Sequence, residues 1–160
     1  MRRSDREIKD NTQLIEVIRK CEVCRLAFNA DGYPYILPLN FGMQVEQEKV
    51  VLYFHGATEG TKYDLIAKDN RTSFEMDCGH RLVMDEEKGN CTMEFESVIG
   101  RGRIEIITEA SQKKEALDIL MGQYHKEDFS YNQAVIDHTT VMKLVVEQMT
   151  GKARKVKTVG

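Results

Sequence analysis

The sequence predicts a mainly β protein with peripheral helices: an antiparallel sheet of six to seven strands, closing into a barrel, with three or four short helices outside it. Three observations carry that expectation. Runs such as Cys24, Leu26 and Phe28, or Met142, Leu144 and Val146, recur at every second position, the period of a strand. Successive strand-like runs are joined by turn residues, Asp31-Gly32 above all, instead of crossover helices, so neighbours pair antiparallel. The chain has 160 residues, 41% of them apolar. A chain of this size removes roughly two-thirds of its unfolded surface from water without a disulfide or structural metal.

Ser4-Asp5-Arg6-Glu7 fits a capping box and opens a short helix, after which Asp10 or Asn11 precedes a longer one with Leu14, Ile15, Ile18 and Cys21 at helical spacing. From residue 23 the period falls to two until Asp31-Gly32 turns the chain. Residues 33–43 are extended, but Pro34 and Pro38 cannot donate to a ladder, which places this segment at an edge or bulge. A turn over 44–49 leads into 50–55, apolar on both faces until His55 and hence a fully buried strand. Residues 61–68 read as a short helix and 71–77 as a further strand. The charged run 85–90 is a solvated turn whose flanks, 81–84 and 91 onward, are hairpin arms. The second arm continues over 93–108, where Gly100 and Gly102 mark a bend or a close backbone approach. Leu117, Leu120, Met121 and Tyr124 share one face of an amphipathic helix, and 141–148 form the last strand. One domain over 1–150 is expected, followed by a basic tail over 151–160, frayed for want of apolar periodicity.

Lys and Arg number 23 and Asp and Glu 26, a net charge of −3, which gives no electrostatic reason to expect nucleic acid or an anionic membrane as partner. Apolar runs reach five or six residues, against the roughly 20 needed to span a bilayer. The charged opening from Met1 to Glu7 contains no secretory core. The chain therefore reads as cytoplasmic, where its four cysteines are expected to be free thiols. Cys21 and Cys24 have the spacing of a zinc pair, but Cys78, His80 and Cys91 do not supply the second tight pair that a structural site takes. A thioredoxin-like pair would open a helix, and this one closes it. No metal site is assigned.

The stretch His55-Gly56-Ala57-Thr58-Glu59-Gly60-Thr61-Lys62 carries the most chemistry. A buried strand ends in a polar residue, crosses small residues and enters a helix with a lysine in its first turn. Glycines let backbone N–H groups approach an anion, and the helix start adds partial positive charge. It is not a Walker loop, because the glycines stand too close together and Tyr63 follows the lysine. On spacing alone two readings stand, a phosphate cradle and a plain strand-to-helix turn. His55 likewise reads either as a hydrogen-bonded rim residue or as a functional one.

Several blocks occur in order: Met1-Arg2-Arg3-Ser4-Asp5-Arg6-Glu7-Ile8, Cys24-Arg25-Leu26-Ala27, Gly32-Tyr33-Pro34-Tyr35-Ile36-Leu37-Pro38-Leu39-Asn40-Phe41-Gly42, Leu52-Tyr53-Phe54-His55-Gly56-Ala57 with Gly60 and Lys62, Ser97-Val98-Ile99-Gly100-Arg101-Gly102, and Gly151-Lys152. Together they resemble the 5-nitroimidazole resistance (Nim) family, within the pyridoxamine 5′-phosphate oxidase-like flavin-binding proteins. The resemblance covers nearly the whole chain. It implies a split β-barrel, an obligate homodimer, and a flavin, usually FMN with FAD as the alternative, at each of two sites formed between subunits.

Carried onto this chain, the resemblance implies that Lys62 anchors the flavin phosphate, with His55, Gly56, Ala57 and Thr61 lining the cradle. Pro38, Leu39, Asn40 and Phe41 would offer backbone groups to the isoalloxazine ring. Ser97, Val98 and Ile99, with Arg101 or Arg103, would come from the partner subunit; Arg101 stands where relatives often carry an aromatic. Arg2 and Arg3 match the start of the family without an assigned contact. The implied function is an NAD(P)H-driven, flavin-dependent reduction of small molecules such as nitroaromatics, with His55 as the proton donor or substrate contact. Two rival functions are a non-catalytic flavin-binding redox or stress protein and a split barrel holding haem or a deazaflavin, His55 being an axial ligand in the haem case.

Overall fold

The computed structural model describes residues 4–156, so Arg2, Arg3 and the last four positions lie outside the described residues. A 3-10 turn, Ser4–Arg6, leads through a two-residue strand β1 (Glu7–Ile8) to helix α1 (Asn11–Lys20). Asp10 caps α1, its carboxylate accepting the Thr12 N–H at 3.0 Å. Leu14, Val17 and Ile18 are its buried face. Strand β2 (Cys24–Phe28) buries Cys24, Leu26 and Phe28 in alternation. The proline-bearing segment divides into β3 (Tyr35–Leu39) and β4 (Gly42–Glu46), and β5 (Lys49–Gly56) follows a two-residue turn at Gln47 and Glu48, both at positive φ. The turn is thus shorter than 44–49, because β4 keeps its pairing as far as Glu46↔Lys49.

Helix α2 (Thr61–Lys68) comes next, then two long strands, β6 (Arg71–Asp85) and β7 (Asn90–Ile107). The runs expected as separate strands at 71–77 and 81–84 form one. A bulge kinks it between Cys78 and Arg81, where Gly79 takes a φ of +68°. Helix α3 (Ala110–Tyr124), a short helix α4 (Gln133–Asp137) that sequence patterning did not foresee, and β8 (Thr140–Arg154) complete the chain.

The frayed tail expected from residue 151 is corrected, since Gly151, Lys152, Ala153 and Arg154 continue β8, paired with β7 and, at Glu7↔Lys152 and Ile8↔Gly151, with β1. An extra residue in β8 opposite the Arg101 to Gly102 step breaks the apolar alternation there while the ladder runs on. Gly151 touches α1: a Cβ on it would lie 2.4 Å from Leu14 Cδ2.

All pairings are antiparallel, in the order β3-β2-β6-β7-β8-β5-β4, with β1 added to β8. Leu39 of β3 and Gly42 of β4 stand at opposite ends of that order, yet only Asn40 and Phe41 separate them. The sheet must therefore curl until its ends are within about 11 Å, three Cα steps. It closes as a barrel split at this seam. Phe28, Phe41, Leu52, Phe54, Met76 and Leu144 are among the side chains filling the interior. β5 is apolar on both faces because Leu52 and Phe54 point inward while Val51 and Tyr53 pack beneath Ala116 and Leu117 of α3. No helix among the described residues is long and apolar enough to cross a membrane.

Candidate functional site

β5 delivers His55 and Gly56 to the barrel rim, where they pair with Val141 and Thr140. The chain then crosses to α2, whose N-cap is Gly60 at φ +147°, so the helix start has no capping side chain. The Tyr63 N–H reaches Gly60 O at 3.0 Å, leaving the first amides of α2 available to an anion. Lys62 folds back over this loop. A Cβ on Gly56 would lie 3.1 Å from Lys62 Cε and 3.2 Å from its Nζ, and a Cβ on Gly60 3.2 Å from the same ammonium. Both glycines thus make room for the cation.

Tyr63 completes the wall: its hydroxyl donates to Ala57 O, and Lys62 Nζ sits 4.2 Å from its ring centroid. Lys62 makes no ion pair with a carboxylate among the described residues. An ammonium, uncapped amides and space that a Cβ would fill are the donor set a phosphate monoester needs. Thr61, exposed at the first helical position, adds a hydroxyl at the rim.

β4 begins at Gly42, opposite Tyr53, so the seam residues Asn40 and Phe41 lie toward the end of β5 that carries His55. Here the structure corrects one expectation. The Phe41 N–H is not free for a ligand, because it donates to Tyr124 Oη at 2.9 Å, and that hydroxyl donates to Glu22 O at 2.8 Å. Asn40 Nδ2 also reaches Glu22 O, at 3.1 Å, and the Phe41 ring is fully buried. What the segment does leave open is the outer edge of β3, with Pro38 and Leu39, because β3 pairs only with β2. Tyr63 and Tyr124 escaped sequence reasoning; the tyrosine following Lys62 was the one available signal.

Burial holds the His55 imidazole below its ordinary range. The shift favours the uncharged ring, which has one N–H to donate.

The residues from 97 to 101 lie elsewhere on the same chain. Val141, opposite His55, pairs with Ile107 of β7, and Ile99 is eight residues further along, about 26 Å of strand. One chain does not bring them to the cradle. Val98 faces the core and is fully buried, so its side chain is unavailable to a ligand. Ser97 pairs with Asp77 on one side and Lys152 on the other. Ile99 and Arg101 point outward into a groove of about 630 Å³, floored by Gly100 and Phe74 and walled by Ile36, Arg25 and Gln148. A Cβ on Gly100 would lie 2.4 Å from the buried Phe74 ring, so the glycine makes room for that ring on the core side. Arg25 bridges Asp77 and Glu75 at 2.6 and 3.0 Å, and burial together with the neighbouring Asp77 pushes the Glu75 carboxyl up. Arg103 pairs with Glu147 at 3.1 Å, whereas Arg101 has no acidic partner among the described residues.

Cys21 and Cys24 are buried beside α1 and β2, the half-buried Cys78 lies within hydrogen-bond reach of Cys21, and Cys91 is exposed near the β6 to β7 turn.

The sequence matches the family model for pyridoxamine 5′-phosphate oxidase over residues 10–153. The chain belongs to that family. Its fold agrees with solved split barrels. A candidate 5-nitroimidazole antibiotic resistance protein from Bacteroides thetaiotaomicron is 32% identical, aligned over 92% of this chain and 86% of that one with a TM-score of 0.81. A flavocytochrome from Azotobacter vinelandii, 18% identical over 98% of this chain and 72% of its own, has a TM-score of 0.81. An FAD and haem binding protein from Mycobacterium smegmatis, 16% identical over 94% and 74%, has a TM-score of 0.79. The last two show a common fold. No curated relative matches the chain.

Proposed function

We propose that this family member is a cytoplasmic, homodimeric flavoprotein that uses NAD(P)H to reduce small molecules, nitroaromatics such as 5-nitroimidazoles among them, with FMN as the cofactor and FAD as the alternative. The observation that carries the reading is the Lys62 ammonium, bent back between Gly56 and Gly60 over an uncapped helix start and free of any carboxylate among the described residues. The relative named for 5-nitroimidazole antibiotic resistance supports the substrate class, and relatives named for FAD support the cofactor class.

In this reading Lys62 and the first amides of α2 hold the phosphate, with Thr61 at the rim, while His55, Gly56 and Ala57 line the approach. Pro38 and Leu39 present the open edge of β3 to the ring, and Asn40 and Phe41 hold the seam in place through Glu22 and Tyr124. Ser97, Ile99 and Arg101 of a second copy close the far side, Ile99 with an apolar surface and Arg101 with an unpaired guanidinium; Val98 acts there through its backbone alone. Hydride acceptance from NAD(P)H and onward electron delivery to a nitro group are the chemistry that the flavin, when bound, supplies. His55 donates a neutral N–H hydrogen bond to the substrate.

The purified protein tests this directly. A yellow chromophore with the two flavin bands, bleached by NADH or NADPH and restored by a nitroaromatic, is the expected result. A protein that stays colourless and takes up no FMN ends the proposal. Bound flavin that neither nucleotide bleaches leaves a binding protein without turnover, and a Soret band replaces flavin by haem.

A further inference from the structure

Two thiols far apart in the chain meet at the end of α1. Cys21 is the C-cap of that helix, in an extended conformation at φ −80° and ψ 146°, and its side chain is buried. Cys78 is the last regularly paired residue of β6 before the bulge, and Gly79 follows it at φ +68°. Cys78 pairs with Glu96 of β7, and residues directly opposite on antiparallel strands share a face. Glu96 in turn holds Lys20, the neighbour of Cys21, at 2.9 Å. That ion pair brings the end of α1 over Cys78, which packs against the core cluster containing Cys21. The two side chains stand within hydrogen-bond reach.

Their surroundings divide the roles. Cys21 is enclosed, its S–H donating to Val17 O at 3.3 Å, and burial raises its thiol far above the ordinary range. Cys78 is half-buried, within reach of a small oxidant. Burial raises its thiol as well, but the contact with Cys21 and the Lys20 ammonium act in the opposite direction, and the thiolate is the nucleophile. Cys78 shares the inward side of β6 with Phe74 and Met76, away from the outer groove. A disulfide requires sulfurs about 2.05 Å apart in a narrow range of torsion, so two thiols in contact close most readily where the backbone can yield. One of these ends a helix and the other borders a bulge.

We infer that Cys21 and Cys78 form a reversible redox site, which a hydroperoxide oxidises to a disulfide stapling the end of α1 to the β6 bulge. With hydrogen peroxide, the Cys78 thiolate attacks one oxygen and the O–O bond breaks. The departing oxygen takes up the proton the thiol had lost and leaves as water. The Cys21 sulfur then attacks the Cys78 sulfenic acid, the S–O bond breaks, and the Cys21 proton leaves with that oxygen as a second water. The two thiols lose two electrons and the peroxide gains them; a dithiol reductant restores the pair. The bridge falls one residue from the Glu22 carbonyl that holds Asn40 and Tyr124 at the seam, and Gln123 Nε2 reaches the Cys21 carbonyl itself at 3.2 Å. Oxidation thus fixes the segment to which the seam is tied.

Peptide mapping of the purified full chain tests it. Trypsin cuts after Lys20, Arg25, Arg71 and Arg81, so Cys21 and Cys78 fall in separate peptides, Cys21–Arg25 and Thr72–Arg81. After hydrogen peroxide, non-reducing mass spectrometry should show these two joined, and dithiothreitol should part them. Cys24 shares the first peptide, so Cys24→Ala should still give the joined pair, whereas Cys21→Ala and Cys78→Ser should not. Fragment ions of the wild-type pair make the same distinction where a variant fails to fold. The melting temperature of the wild type should rise on oxidation and return with dithiothreitol, and that of Cys78→Ser should show no such reversible rise. The exposed Cys91 gauges the exposure to oxidant. Oxidised Cys91 beside free Cys21 and Cys78 overturns the inference. So does a bridge within Cys21–Arg25 alone, or a joined pair that persists in Cys21→Ala.

Discussion

Replacing Lys62 with alanine removes the ammonium from between Gly56 and Gly60 and leaves the seam, His55 and the outer groove intact. Its Nζ stands 3.2 Å from the position of a Cβ on either glycine and has no carboxylate to release it from among the described residues. A phosphate held there makes a charge-assisted contact worth about 1.5–3 kcal/mol, or a roughly ten- to hundredfold loss of FMN affinity. Riboflavin has the same ring and no phosphate, so its affinity should not change. Fluorescence quenching titrations of both ligands, on the wild type and on Lys62→Ala, measure the difference, and a melting curve checks that loss of the Lys62 to Tyr63 ring contact has not loosened α2. Raising the salt concentration should weaken FMN binding to the wild type more than to the variant. Equal FMN affinity in the two proteins, or an equal weakening of FMN and riboflavin, refutes the reasoning.

Other consequences are stability effects. Gly100→Ala drives a Cβ to 2.4 Å from the Phe74 ring and 2.8 Å from Gln148 O; overpacking of this kind costs about 1–3 kcal/mol, seen as a melting temperature lowered by about 2–4 °C per kcal/mol. Tyr124→Phe strands the Phe41 N–H and leaves the Glu22 carbonyl to the Asn40 amide, and urea unfolding should show a loss of about 1–3 kcal/mol. Because burial lowers the His55 pKa in the folded state, the unfolded chain binds the proton more readily. Its contribution is therefore fully present above the unfolded value, near 6.5, and is lost as pH falls from there through the folded pKa. A pH series of melting curves should show that slope, and His55→Gln should flatten it.

Strand identities were legible because each inward side chain recurs at every second position, as Leu26 and Phe28 or Leu144 and Val146 do. Even the double-sided burial of β5 could be read, since Val51 and Tyr53 are as apolar as Leu52 and Phe54. Where a bulge shifts the alternation, the reading failed. The extra residue in β8 hid the last turn of that strand, and the Gly79 to His80 irregularity divided β6 in two. Helix α4 was hidden by its brevity, five residues with no buried side chain. At the site, Gly56, Gly60 and Lys62 announced themselves by type and order. Tyr124 could not, because it reaches Phe41 across 83 residues of chain and no local pattern encodes that contact.

A crystal structure of the protein grown with FMN would test the central claim most directly. The expected density places the phosphate within hydrogen-bond reach of Lys62 Nζ and the first amides of α2, with Ile99 of a two-fold related copy against the ring. A phosphate found among Arg71, Arg101 and Arg103, or a flavin seated wholly within the outer groove of one chain, contradicts it.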